Sequence, residues 1–118
     1  MEVERLITAE DKRILQREIS MKIKNFRGVG PQSHVIKDLG NELEITVKGT
    51  LVPVEKYFFQ TYGQEYINAV YKFYFETVEL AVKQLDDALN NKYQLSLIRW
   101  EPDFLNDSIK WVLQYTQS

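Results

Sequence analysis

The sequence contains no cysteine. Disulfides, thiolate nucleophiles and cysteine-ligated metal sites are therefore excluded. It has one histidine, His34, too few for a histidine-rich zinc site. As a general base His34 would need an orienting partner, and no motif supplies one, so it reads as a solvent-facing strand residue. An excess of basic residues is also lacking: 15 Lys and Arg against 17 Asp and Glu give a formal net charge of −2. A phosphate backbone demands clustered cations, so nucleic acid is not an expected partner. No apolar run approaches the roughly 20 residues that span a bilayer. Glu2, Glu4, Glu10 and Asp11 stand where a signal segment would be basic and then apolar. The expectation is a cytoplasmic chain that does not itself span a membrane.

What is present suffices for one core. The chain has 118 residues, 44% of them hydrophobic, with no repeat, low-complexity tract or linker, so 1–118 reads as a single domain. Thr8 is placed to cap a first helix, with Asp11 three positions on as a short capping-box carboxylate. Glu10 and Asp11 then favour the positive helix end, and Lys22 and Lys24 the negative one. Leu15, Ile19, Ile23 and Phe26 make one apolar stripe at helical spacing. Gly28-Val29-Gly30-Pro31 ends the helix, because glycine relieves a left-handed exit and proline forbids continuation.

Two strands follow, His34 to Lys37 and Glu42 to Leu51, around the turn Asp38-Leu39-Gly40-Asn41. Leu43, Ile45 and Val47 alternate with Glu42, Glu44, Thr46 and Lys48, which predicts a half-buried antiparallel hairpin. Pro53 suits the first turn of a short helix, Val54 to Gln60. A long helix, Gln64 to Asn90, carries Ile67, Val70, Tyr74, Val78, Ala81, Leu85 and Ala88 as its main stripe, and Asn90-Asn91 as a left-handed stop. Tyr93 to Glu101 and Ser108 to Tyr115 form a second strand pair about the loop Pro102 to Asp107. In the last strand Ile109, Trp111, Leu113 and Tyr115 share a face. Tyr93, Leu95 and Leu97 also share one, but Ile98 and Trp100 fall on the other. Either a bulge restores the register or both faces are buried. The order α-β-β-α-α-β-β predicts an α+β fold, a four-stranded antiparallel sheet packed on one face by helices in a two-layer sandwich.

Catalytic constellations are weak. Gly28-x-Gly30-Pro31 closes a helix, whereas phosphate loops open one, so it reads as a turn. Lys22, Lys24 and Arg27 can receive an anion or an acidic partner, but their placement at a helix C-terminus already accounts for them. Asp86-Asp87 and the pair Asp103 and Asp107 are the closest carboxylates. The loop between the latter lacks the ligand spacing and central glycine of a calcium loop, and Asp107 fits turn formation better. Ser33, Ser96 and Ser108 have no nucleophile-elbow context. The expectation is a non-catalytic protein with no cofactor and no metal.

The long helix carries more information. Tyr71, Phe73, Tyr74 and Phe75 nearly encircle one turn, with Tyr66 and Leu80 beyond the main stripe. A helix apolar on several sides must bury several sides. The second cover is either another subunit, making a homodimer, or the chain's own two other helices. Alternatively, Tyr74, Trp100, Trp111 and Tyr115 line an apolar ligand pocket between sheet and long helix.

Three segments also carry a resemblance: Gly28-Val29-Gly30-Pro31, then Lys48-Gly49-Thr50-Leu51-Val52-Pro53-Val54-Glu55-Lys56, then Asp107-Ser108-Ile109-Lys110-Trp111-Val112-Leu113. Across roughly residues 10 to 116 the chain resembles a small bacterial family named for the MpsC component of sodium-translocating, membrane-potential-generating systems. That family's pattern has a glycine-x-glycine-proline turn, a glycine-x-leucine-threonine-proline-x-glutamate entry into a helix, and an apolar last strand. This chain departs from it at Val52, where threonine is usual, and in Trp111-Val112-Leu113. The valine removes a helix cap before Pro53. The matching positions are Gly28, Gly30, Pro31, Gly49, Pro53 and Glu55. Most are structural, and the Glu55 charge suits the first turn of its helix. The resemblance implies an accessory protein, a partner of membrane machinery handling sodium, protons or inorganic carbon, and no catalytic residues.

Overall fold

The computed structural model describes residues 7–28 and 30–117. Glu2 and Glu4, and Val29 within the glycine turn, lie outside the described residues. The order is α1 (Ala9–Arg27), β1 (Ser33–Asp38), β2 (Glu42–Lys48), α2 (Pro53–Tyr62), α3 (Gln64–Ala88), β3 (Tyr93–Asp103) and β4 (Ser108–Gln117). The strands form one antiparallel sheet in the order β1-β2-β4-β3. Helices pack on it, giving the expected α+β fold.

Local chemistry explains the boundaries. The Thr8 hydroxyl accepts the Asp11 N–H at 3.0 Å and opens α1. Gly28, at φ 82°, closes it by donating to the Lys24 carbonyl. β2 stops at Lys48, three residues short of the expected Leu51. Gly49 turns the chain there at φ 81°, and its N–H bonds the Asp107 carbonyl. A Cβ at Gly49 would sit 2.5 Å from the Gln32 side chain. Asn90 and Asn91 both adopt φ 57° after α3. The pattern defect in β3 is a bulge: Leu97 pairs with Leu113 and Arg99 with Val112, so Ile98 has no opposite partner. Trp100 thereby returns to the inner face beside Trp111.

The core lies between that inner face and the helices. Leu43, Ile45, Val47, Ile109, Trp111, Leu113 and Tyr115 meet Leu15, Ile19 and Ile23 of α1 and Val78, Val82 and Leu85 of α3. Several sequence-based assignments need correction. Phe26, the fourth member of the α1 stripe, is 45% exposed and lies outside the core, its ring edge-on to Tyr74 of α3. His34 is not on the outer face: it pairs with buried Val47 and is half-buried on the core side. Asp11 is more than a dipole partner. It is buried, and its carboxylate accepts from Lys92 Nζ at 2.9 Å and the Tyr93 hydroxyl at 2.7 Å. Asp107 does not bond its own turn: it accepts from the Leu51 N–H and Lys56 Nζ, both at 3.1 Å.

Candidate functional site

Nine of the fifteen aromatic residues fall between Tyr57 and Phe75. They belong to α2 and the first half of α3, which form a helical arm. Yet from Pro53 to Thr77 the only buried residue is Glu55, a carboxylate. α3 buries its apolar residues only in its second half, where it meets β3. The arm is thus held by aromatic contacts along its flank, by the half-exposed Lys56–Asp107 pair and by one buried polar joint at its base.

The polar joint is built from three helices. Glu55 lies in the first turn of α2, where its Oε1 accepts the Val52 N–H at 3.1 Å. Valine has no side-chain acceptor, so only this half of a capping box forms. The same oxygen pairs with the Arg27 guanidinium from the end of α1. The other oxygen accepts the Tyr74 hydroxyl from α3 at 3.0 Å. Side-chain exposures of 9% for Arg27 and 6% for Glu55 make this a buried ion pair. The arginine also stacks over Tyr74, 5.6 Å from its ring centre, and reaches the Thr50 carbonyl. Burial, then the neighbouring Tyr66 and the Glu55 carboxylate, push the Tyr74 hydroxyl far above the usual phenol range. It therefore keeps its proton and acts as a donor, not as a base. Arg27 is accordingly occupied by an internal anion and is not free to receive an external one.

Beside this joint lies a cavity of about 70 Å³ between α1, α3 and the sheet. Its walls are almost wholly apolar: Ile23, Val47, Val78, Trp100, Ile109 and Trp111 among them. Of the four residues expected in such a pocket, Tyr74, Trp100 and Trp111 are there. Tyr115 is not. It is buried toward the opposite end of the sheet, where its hydroxyl bonds Asp38 Oδ1 at 2.8 Å and its ring meets Tyr93 edge-on. Thr50, which no sequence signal marked, lies in the cavity wall. It is fully buried, and among the described residues its hydroxyl has no hydrogen-bond partner.

The outer side of the arm is the second candidate surface. Phe73 is 60% and Tyr57 61% exposed, and Val54, Phe58, Tyr62 and Leu80 are exposed as well. Rings touch in two chains. Tyr57, Phe58, Tyr62 and Tyr66 form one, ending on Phe104; Phe26, Tyr74 and Phe73 form the other. Tyr66 is half-buried in the first chain, so it packs within the arm more than it projects. The glycines and prolines of the family pattern do not enter either surface: Gly28 and Gly49 set turns and Pro53 begins α2. Gly30 and Pro31 sit in the link before β1. Glu55 alone among those positions joins the site.

Among the described residues no group of three His, Asp or Glu is placed to hold a metal, and no helix is long and apolar enough to cross a membrane. Compared with known proteins, the chain matches no family model, no curated protein and no solved structure.

Proposed function

We propose that this chain is a non-catalytic interaction protein, and that the exposed face of the α2–α3 arm is its binding surface. One observation carries the reading: aromatics are concentrated in a segment that buries no hydrophobic side chain fully. Roughly half of each of Tyr57, Phe58, Tyr62 and Phe73 remains open. At about 150–250 Å² per aromatic side chain, that leaves on the order of 400 Å² of apolar surface. Apolar patches of this size are often functional, and aromatics dominate the energetics of protein contact sites. Charge is sparse here too. Of the arm's charged residues, Glu55 is buried and Lys56 pairs with Asp107, leaving Glu65, Lys72 and Glu76. Depletion of charge is the usual composition of an interface centre.

The first partner we assign is a second copy of the chain, in a cytoplasmic homodimer. The resemblance to the MpsC-named family supports a further protein partner in a membrane transport complex for sodium or inorganic carbon. Light scattering across a range of concentrations tests the dimer. A dimeric mass that Phe73→Glu converts to monomer is the expected result, since Phe73 is too exposed for the change to harm the core. A monomer at every concentration, together with no specific partner in a pull-down, would overturn the proposal.

A further inference from the structure

The cavity beneath the arm has a feature that core packing does not explain. Interior hydroxyls are normally paired, because an unpaired one retains its full desolvation cost. Among the described residues the Thr50 hydroxyl is fully buried and unpaired, in the wall of a cavity lined mostly by hydrocarbon and indole. The other hydroxyls and the charged groups of that wall are engaged. The Tyr74 hydroxyl is bound to Glu55, the Thr77 hydroxyl to the Phe73 carbonyl, Arg27 to Glu55 and Lys22 to the Gln84 side chain.

Water alone is a poor occupant of such a space. A buried water needs two to four polar partners, and this wall has one hydroxyl to spare. An ion is worse: a cation would meet Lys22 and Arg27 in the wall, and an anion would enter a largely apolar enclosure where Arg27 is already neutralised by Glu55 and Lys22 is turned to Gln84. We infer that the cavity is a binding site for a small uncharged molecule, or the end of a larger one, with an apolar body and one hydroxyl, carbonyl or amide group that pairs with Thr50. Size limits the class further. An apolar cavity of about 150 Å³ admits benzene, so one of about 70 Å³ encloses only a few heavy atoms. A short aliphatic alcohol or amide fits, while an aromatic ring is too large to be enclosed. This site lies inside the fold, and its test does not depend on the arm's outer face being an interface.

Both tryptophans of the chain, Trp100 and Trp111, line the cavity, so their fluorescence reports on an occupant directly. Two heavy-atom quenchers of equal size separate the hydroxyl from the hydrocarbon: 2-bromoethanol and 1-bromopropane. Neither has a cysteine to alkylate. The expected result is saturable quenching by 2-bromoethanol. Thr50→Val should weaken 2-bromoethanol about 3- to 10-fold, the range of one hydrogen bond, and leave 1-bromopropane bound at least as well. Should that variant not fold, Thr50→Ser and Thr50→Ala make the same comparison with the hydroxyl kept or deleted. Ala81→Leu, which fills the cavity from α3, should abolish saturation for both quenchers. Quenching linear in concentration in the unsubstituted protein would overturn the inference. So would saturable quenching that Ala81→Leu leaves unchanged, or 2-bromoethanol affinity indifferent to the Thr50 hydroxyl.

Discussion

Removing the Glu55 carboxylate should be among the most damaging single changes to this protein. Glu55→Ala leaves Arg27 charged, with its side chain only 9% exposed. Breaking a buried pair from one side costs about 3–5 kcal/mol, because the survivor stays desolvated and uncompensated. The Tyr74 hydroxyl and the Val52 N–H lose the same acceptor. Replacing both charges by apolar residues behaves differently, since neither desolvation penalty then remains. Arg27→Met combined with Glu55→Ala should therefore be more stable than Glu55→Ala alone. Urea unfolding followed by circular dichroism gives the numbers. With a slope of about 1.5–2 kcal/mol per molar urea, a loss of about 3 kcal/mol moves the midpoint down by about 1.5–2 M. A shift below about 0.5 M, or a double variant as unstable as the two single losses added, would refute the assignment of this pair as the joint of the arm.

Other expectations follow from the same contacts. Leu113→Ala, in the middle of β4 with no exposure, should cost about 2–5 kcal/mol in the same urea assay. Gly49→Ala meets both a left-handed backbone and the Gln32 side chain and should cost roughly 1–3 kcal/mol. Burial opposes ionisation of Asp11, but its bonds to Lys92 and Tyr93 outweigh it and hold the carboxyl below the usual range. Its contribution is therefore complete above the unfolded value near 4 and is lost as pH falls below that. Asp11→Asn should flatten the acid limb of a stability–pH curve. At the alkaline end, burial and the bond to Asp11 push the Tyr93 hydroxyl up to about 12. Unfolded tyrosine ionises near 10, so stability should fall between about pH 10 and 12, and less steeply in Tyr93→Phe.

The elements were legible because their signals are local. Thr8, Gly28, the alternation of Leu43, Ile45 and Val47, and the two asparagines after α3 each act within a few residues. The β3 bulge was legible as a defect, since Leu97 and Trp100 cannot share a face without an extra residue between them. What stayed hidden depends on distant partners. Asp11 reads as a helix-end carboxylate until Lys92 and Tyr93, 81 and 82 positions away, are brought to it. Glu55 likewise reads as a dipole partner until Arg27 and Tyr74 converge on it. The cavity residues Tyr74, Trp100 and Trp111 were found by their faces. Tyr115 shares its face with Trp111 but lies four residues further along β4, and alternation says nothing about position along a strand. Thr50 gave no sign because its distinction is a missing partner.

The sheet order sets the sequence of events in folding. β1 and β2 are neighbours along the chain, and so are β3 and β4, so each hairpin closes over a short loop. The seam between β2 and β4 joins Lys48 to Ser108, with both arm helices inside the enclosed loop. Such distant pairing is slow, because its closure entropy is lost before its contacts form. During synthesis the first hairpin must wait, with one long edge unpaired, until β4 has left the ribosome. Ile45→Val in that seam should therefore slow refolding, and an unchanged refolding rate would contradict this order. The interval in which the β2 edge stands open is when this protein is most exposed to mispairing with other chains.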